Sequence, residues 1–76
     1  MENFDRIKFD PTVMGGKPTI RGMRVTVGAV VGLVASGYSS EKILELYPWL
    51  DKEDITQALR YAAWRADELE QPLHPA

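Results

Sequence analysis

The chain has 76 residues and no cysteine. A chain of that size forms one small domain that buries roughly 60% of its unfolded surface, and disulfides, thiolate metal centres and a cysteine nucleophile are excluded. Hydrophobic residues make up 45% and charged residues 26%, a globular rather than a disordered balance. The net charge of −2 is unevenly placed: residues 1–27 hold five basic and three acidic groups, residues 28–76 four basic and eight acidic. No acidic residue lies between Asp10 and Glu41, so Lys17, Arg21 and Arg24 stand in an acid-free segment. The longest apolar stretch, 25–35, is shorter than the 18 or so residues needed to span a bilayer, and MENFDRIKFD lacks the apolar region of a signal peptide. The expectation is a cytoplasmic protein without membrane contact.

Residues 1–27 read as an extended arm. Phe4, Ile7 and Phe9 are spaced for a short strand ending at Asp10-Pro11, and Pro18 to Val27 (PTIRGMRVTV) alternates β-branched with basic residues as a half-exposed strand does. Gly15-Gly16 between them is a turn signal. Two strands alone are marginal in water, so the arm must pack on helices or pair with a second chain, which makes a homodimer plausible.

Residues 27–70 read as three helices. Thr26 is placed to cap a first helix running through VGAVVGLVAS and stopping at Gly37, a residue suited to the left-handed C-terminal position. That helix is apolar all round and is expected to be buried by the others. Its Gly28, Gly32 and Ser36 form a stripe of small side chains, either a dimer seam or a close contact with another helix of the same chain. Ser39 or Ser40 caps a second helix, EKILELY, which Pro48 closes. Asp51 and Asp54 have the spacing of a capping box at the start of the third and longest helix. There Ile55, Ala58, Leu59, Ala62, Ala66 and Leu69 supply a core face, and Ala58, Ala62 and Ala66 are expected to meet the Gly28, Gly32, Ser36 stripe. Residues 71–76, QPLHPA, read as a flexible tail.

A short helix, a tight Tyr47-Pro48-Trp49-Leu50 connection and a longer helix resemble a helix-turn-helix. In that arrangement the third helix would present Lys52, Glu53, Thr56, Gln57 and Arg60, with Gln57 and Arg60 reaching base edges. Three basic against five acidic residues over 52–70 oppose phosphate contact, so operator DNA binding by the lone chain is expected to be weak. GGKPTIRGMR gathers three glycines and the cations Lys17, Arg21 and Arg24, suited to holding a phosphate, to entering an acidic pocket on a partner, or to a hairpin with solvated basic residues. Tyr61 and Trp64 fall off the main apolar face. With Trp49 and Tyr47 they form either an exposed aromatic anchor or the edge of a small core. The only histidine, His74, lies three residues from the C-terminus. No Ser-His-Asp set can form, and no catalytic residue, metal ligand, cofactor or small-molecule substrate is assigned.

Asp10-Pro11, Gly15 to Val27 (GGKPTIRGMRVTV), Ser36 to Leu50 (SGYSSEKILELYPWL) and Glu53 to Trp64 (EDITQALRYAAW) together resemble the small prokaryotic proteins grouped as domain of unknown function 433. Met23 departs from the threonine usual before Arg24, and Gln57 from an alanine. The resemblance implies a mainly α fold with a short N-terminal β arm and a trihelical homeodomain-like helix-turn-helix. It also implies an antitoxin of a VapBC-type toxin–antitoxin module, whose partner is a PIN-like RNase toxin encoded by a neighbouring gene. Lys17, Arg21, Arg24, Trp49, Tyr61 and Trp64 would then bind the toxin, with the C-terminal tail as an alternative occluding element. Lys52, Thr56, Gln57 and Arg60 would contact operator DNA for autoregulation as a dimer. The alternative is a stand-alone helix-turn-helix regulator.

Overall fold

The computed structural model describes residues 4–70, with side chains to Asp67. The expected tail at 71–76, with His74, and the side chain of Leu69 lie outside the described residues. The chain is mainly helical: strand β1 (Ile7–Lys8), a helical turn (Met14–Gly16), strand β2 (Thr19–Ile20), and helices α1 (Val27–Ala35), α2 (Ser40–Leu46) and α3 (Lys52–Glu70).

The strands pair within the chain, antiparallel, with Ile7 opposite Ile20 and Lys8 opposite Thr19. The expected single strand over Pro18 to Val27 is broken. The Met23 amide donates to the Ile20 carbonyl at 2.9 Å, and Arg21 and Gly22 have φ of 52° and 75°, the positive pair that marks a type I′ turn. Beyond it the chain doubles back, so that the Ile20 amide donates to the Val25 carbonyl at 2.9 Å and Thr26 bridges to Thr19. The arm is therefore a three-part ribbon. Ahead of it, Met14, Gly15 and Gly16 all have positive φ, at 51°, 67° and 83°, and close the loop between β1 and β2 where a turn was expected.

The helix ends follow local chemistry. Thr26 Oγ1 accepts from the Ala29 amide at 3.0 Å and Ser39 Oγ from the Lys42 amide at 3.1 Å, each satisfying a donor that the first helical turn leaves unpaired. At the end of α1, Gly37 (φ 94°) donates to the Val34 carbonyl and Tyr38 to the Leu33 carbonyl, both at 3.0 Å. This is the Schellman pattern, and it needs the left-handed angle that glycine adopts without strain. Asp51 and Asp54 form a reciprocal capping box: each carboxylate accepts from the other's amide at 2.9 Å.

Ile7, Ile20, Val25, Val27, Val30, Ile43, Leu50, Ile55 and Ala58 form the core, where ribbon and helices meet. α1 is not wrapped as its composition suggested. Only Val27 and Val30 are buried, while Gly28, Ala29, Gly32, Val34 and Ala35 are exposed, because a seven-residue α2 and a single long α3 cannot surround it. The expected contact between small-residue stripes is also absent. A Cβ at Gly32 would meet nothing within 4 Å and one at Gly28 only Thr26 Oγ1 at 4.0 Å, whereas Ala66 is exposed. α1 and α3 still lie in contact, and the α1 side chains that are buried are Val27 and Val30. Among the described residues, no helix is long and apolar enough to cross a membrane.

Candidate functional site

The I′ turn lifts Arg21 out of the strand register and points it at the start of α3. Its Nε and Nη2 donate to Asp54 Oδ1 and Oδ2 at 3.1 and 2.8 Å, a side-on bidentate pair, and Nη2 also donates to the Trp49 carbonyl at 2.8 Å. Arg6, from the residue before β1, reaches the same place: its Nη1 lies 2.6 Å from Asp51 Oδ1 and 2.9 Å from Asp54 Oδ1. The Asp54 side chain is wholly buried, while those of Arg6 and Arg21 keep 29% and 41% of their exposure. One buried carboxylate is thus held by two arginines and a backbone amide, so neither oxygen lacks a partner.

Burial pushes the Asp54 carboxyl up. The bonds from Arg21, the Asp51 amide and Arg6 outweigh that and hold it below the ordinary aspartate range. Asp51 is lowered as well, chiefly by Arg6. Both guanidinium groups are held above their ordinary values, Arg6 chiefly by Asp51 and Arg21 by Asp54.

Arg21 was expected to face a partner, but it is an internal cross-link. The cause is the turn, which the reading of 18–27 as a single strand hid. Gln57 is likewise corrected. Expected on an exposed helix face, it is 7% exposed; its Oε1 accepts from the Arg6 amide at 3.0 Å and its Nε2 donates to Asp5 at 2.8 Å. Asp54, Gln57, Ala58 and Tyr61 follow the i, i+3, i+4, i+7 spacing of a covered helix face, and the covering element is the arm.

The other expected residues stay at the surface to differing degrees. Lys17, Arg24, Lys52 and Arg60 are exposed and Thr56 is half-buried. Among the described residues, no ion pair forms at Lys17 or Arg24. Arg24 precedes buried Val25 and Lys8 follows buried Ile7, so strand alternation leaves both cations outside.

The expected single aromatic patch resolves into two. Tyr47 and Trp49 meet edge to face at 5.7 Å, with Trp49 54% exposed. Tyr61 and Trp64, 5.9 Å apart, instead join Phe4, which lies 5.4 Å from Tyr61 and 5.7 Å from Trp64, and Phe9, which lies 6.0 Å from Tyr61. Phe4, Phe9, Arg6 and Lys8 are the contributors that the sequence reading missed. The signal for Arg6 was a carboxylate at a core-facing position of α3, which demands a cation.

Among the described residues, no group of three or more His, Asp or Glu side chains is placed to hold a metal ion. Geometry therefore defines a class: a small helical body whose β arm is clamped onto its longest helix by a buried charge network and an aromatic lid. The chain belongs to the family described as protein of unknown function (DUF433), whose pattern matches residues 7–62. An uncharacterized protein from Sinorhizobium fredii, y4eO, is 48% identical over 52 residues, spanning 68% of this chain and 24% of that relative's length. The crystal structure of a DUF433 member protein from Anabaena variabilis superposes with a TM-score of 0.76 at 28% identity, covering 88% of this chain and 66% of that one. Both relatives are thus longer than the part this chain matches.

Proposed function

We propose that the chain is the antitoxin of a type II toxin–antitoxin module, a protein-interaction module that docks on a PIN-like RNase toxin and suppresses its activity. The observation that carries this reading is the division of the arm's cations. Arg6 and Arg21 are consumed by Asp51 and Asp54, whereas Lys17 and Arg24 remain exposed in an acid-free segment. Those two are free to meet the carboxylates of a metal-dependent nuclease. Trp49 is the anchor of the docking face, and Arg21 fixes the main chain that carries it through the Trp49 carbonyl. Tyr61 and Trp64, engaged with Phe4, take a secondary part.

Coexpression with the nuclease encoded alongside tests this. Lys17→Ala with Arg24→Ala should abolish copurification and neutralisation while leaving the melting temperature unchanged, and Arg21→Ala should lower the melting temperature itself. Neutralisation by the Lys17/Arg24 double variant at wild-type level would refute the docking mode.

The second reading, a homeodomain-like helix-turn-helix that binds operator DNA as a dimer, draws on exposed Lys52 and Arg60 at the start and middle of α3. It is weakened by the withdrawal of Gln57 and by exposed Glu53. We expect weak, strongly salt-dependent operator binding by the free chain and tighter binding by the complex. An electrophoretic shift series across salt concentrations distinguishes this from a stand-alone regulator, which would bind tightly without the toxin.

A further inference from the structure

Pairing consumes the charge of Arg6 but not its donors. Nη1 carries both of its side-chain bonds, to Asp51 and Asp54. Among the described residues Nε and Nη2 bond to nothing, and neither is buried. Those two atoms form the side-on edge of the guanidinium, the same edge by which Arg21 holds Asp54. It stands vacant on an arginine that two carboxylates already hold in place, so a partner using it need not immobilise a mobile side chain.

Charge decides what fits that edge. Arg6 and Arg21 balance Asp51 and Asp54, while Glu53 next to Asp54 is exposed and the Asp51 side chain keeps 57% of its exposure. A third carboxylate would approach those acids with no unbalanced cation to receive it, and a polyanion would do so repeatedly. A neutral acceptor needs only the open donors. The cluster already contains one such contact, since Arg21 Nη2 donates to the Trp49 carbonyl at 2.8 Å. Asp54 thus joins the Arg6 guanidinium to the main chain of Trp49, whose ring is 54% exposed. A pre-ordered, partly exposed arginine beside an exposed tryptophan has the composition of an interface hot spot.

We propose that the Nε–Nη2 edge of Arg6 receives a main-chain carbonyl of the docking partner beside Trp49. This rests on the docking reading above and adds the kind of group that the partner presents there. Lys17 and Arg24 meet carboxylates, whereas Arg6 meets a neutral oxygen of the type left unpaired in a loop or in the last turn of a helix. Arg6 therefore holds the arm through Nη1 and the partner through its opposite edge.

The test uses the full chain and the nuclease encoded alongside. In Arg6→Lys the ammonium can still pair with Asp51 and Asp54 but has no side-on edge. The melting temperature should stay within a few degrees of wild type while the complex weakens about tenfold. The dependence of affinity on salt should be unchanged, because no charge pair with the partner is lost. In heteronuclear NMR spectra of the wild-type chain, which serve equally if Arg6→Lys fails to fold, the Arg6 Nε–H signal should move on binding while that of Arg21, already bonded to Asp54, stays. Wild-type affinity in Arg6→Lys, or an unmoved Arg6 signal in the complex, would overturn the carbonyl contact and leave the docking reading standing. A flatter salt dependence in Arg6→Lys would overturn it too, by assigning the edge to a carboxylate. Absence of any complex with the wild-type chain would remove the docking reading and this contact together.

Discussion

Replacing Asp54 by asparagine preserves the shape of the side chain and removes the charge on which the arm converges. The carboxylate accepts from Arg6 and Arg21 on one oxygen and from Arg21 and the Asp51 amide on the other. Whichever way the amide is turned, its NH2 faces two donors. At least two bonds are lost, and bonds to charged groups are worth roughly 1.5–3 kcal/mol each. The arginines keep 29% and 41% of their exposure, so water recovers part of their hydration and the sum should be discounted by about half. The remainder is about 1.5–3 kcal/mol. A chain of this length is stable by only roughly 4–11 kcal/mol in all. Urea unfolding followed by tryptophan emission should therefore show a midpoint about 1.5 M or more below wild type, taking a slope near 1 kcal/mol per M for so small a protein. Asp51→Asn, which keeps a capping side chain and alters a more exposed site, should cost clearly less. A loss below about 1 kcal/mol in Asp54→Asn would mean that burying the carboxylate already cancels what the arginines return, and the clamp would not be what holds the arm.

Asp54 and Asp51 are both lowered by folding. The stability they contribute is thus fully present above the ordinary aspartate value near 3.8 and is lost as pH falls through their lower folded values. Acid titration of the unfolding midpoint should show a decline below about pH 4 that is shallower in Asp54→Asn. Gln57→Ala should cost about 1–2 kcal/mol by releasing the Arg6 amide and Asp5; the Arg6 amide should lose hydrogen-exchange protection before those of α1 do. Gly32→Ala should stabilise the chain by about 0.5–1 kcal/mol, since the added methyl meets nothing within 4 Å and glycine is a poor helix interior residue. Thermal melts would register this as a rise of a few degrees, and a fall instead would mean that the open face of α1 is occupied in solution.

What could be read from the sequence was what depends on neighbours a few residues apart. Thr26, Ser39 and the Asp51/Asp54 pair act on amides within the next turn, and Gly37 acts on carbonyls of the turn before it. Their spacing alone is sufficient. Arg21 and Arg6 pair with a carboxylate 33 and 48 positions away, and nothing local announces that. Ile-Arg-Gly-Met also lacks the Asn-Gly or Asp-Gly dipeptide that usually signals a type I′ turn, so alternating Thr19, Ile20, Arg21 and Val25 looked like one strand. The small-residue stripes failed differently. Regular spacing places Gly28 and Gly32 on one face, but only the packing of the valines decides whether that face points at α3 or at water.

The arm's five basic residues therefore carry two separate tasks that composition could not divide. A positive φ at Arg21 costs of order 1 kcal/mol for a residue with a side chain, a strain tolerated here because it aims the guanidinium at a buried carboxylate and at the Trp49 carbonyl together. Once Arg21 and Arg6 fix the arm against α3, the alternation of the ribbon leaves Lys8 and Arg24 no inward option, and Lys17 stays at the surface before it. The internal pair sets the geometry of the outward three. A partner that reads those three is thereby reading a surface whose position depends on Asp54, although Asp54 itself has no exposed atom to offer it.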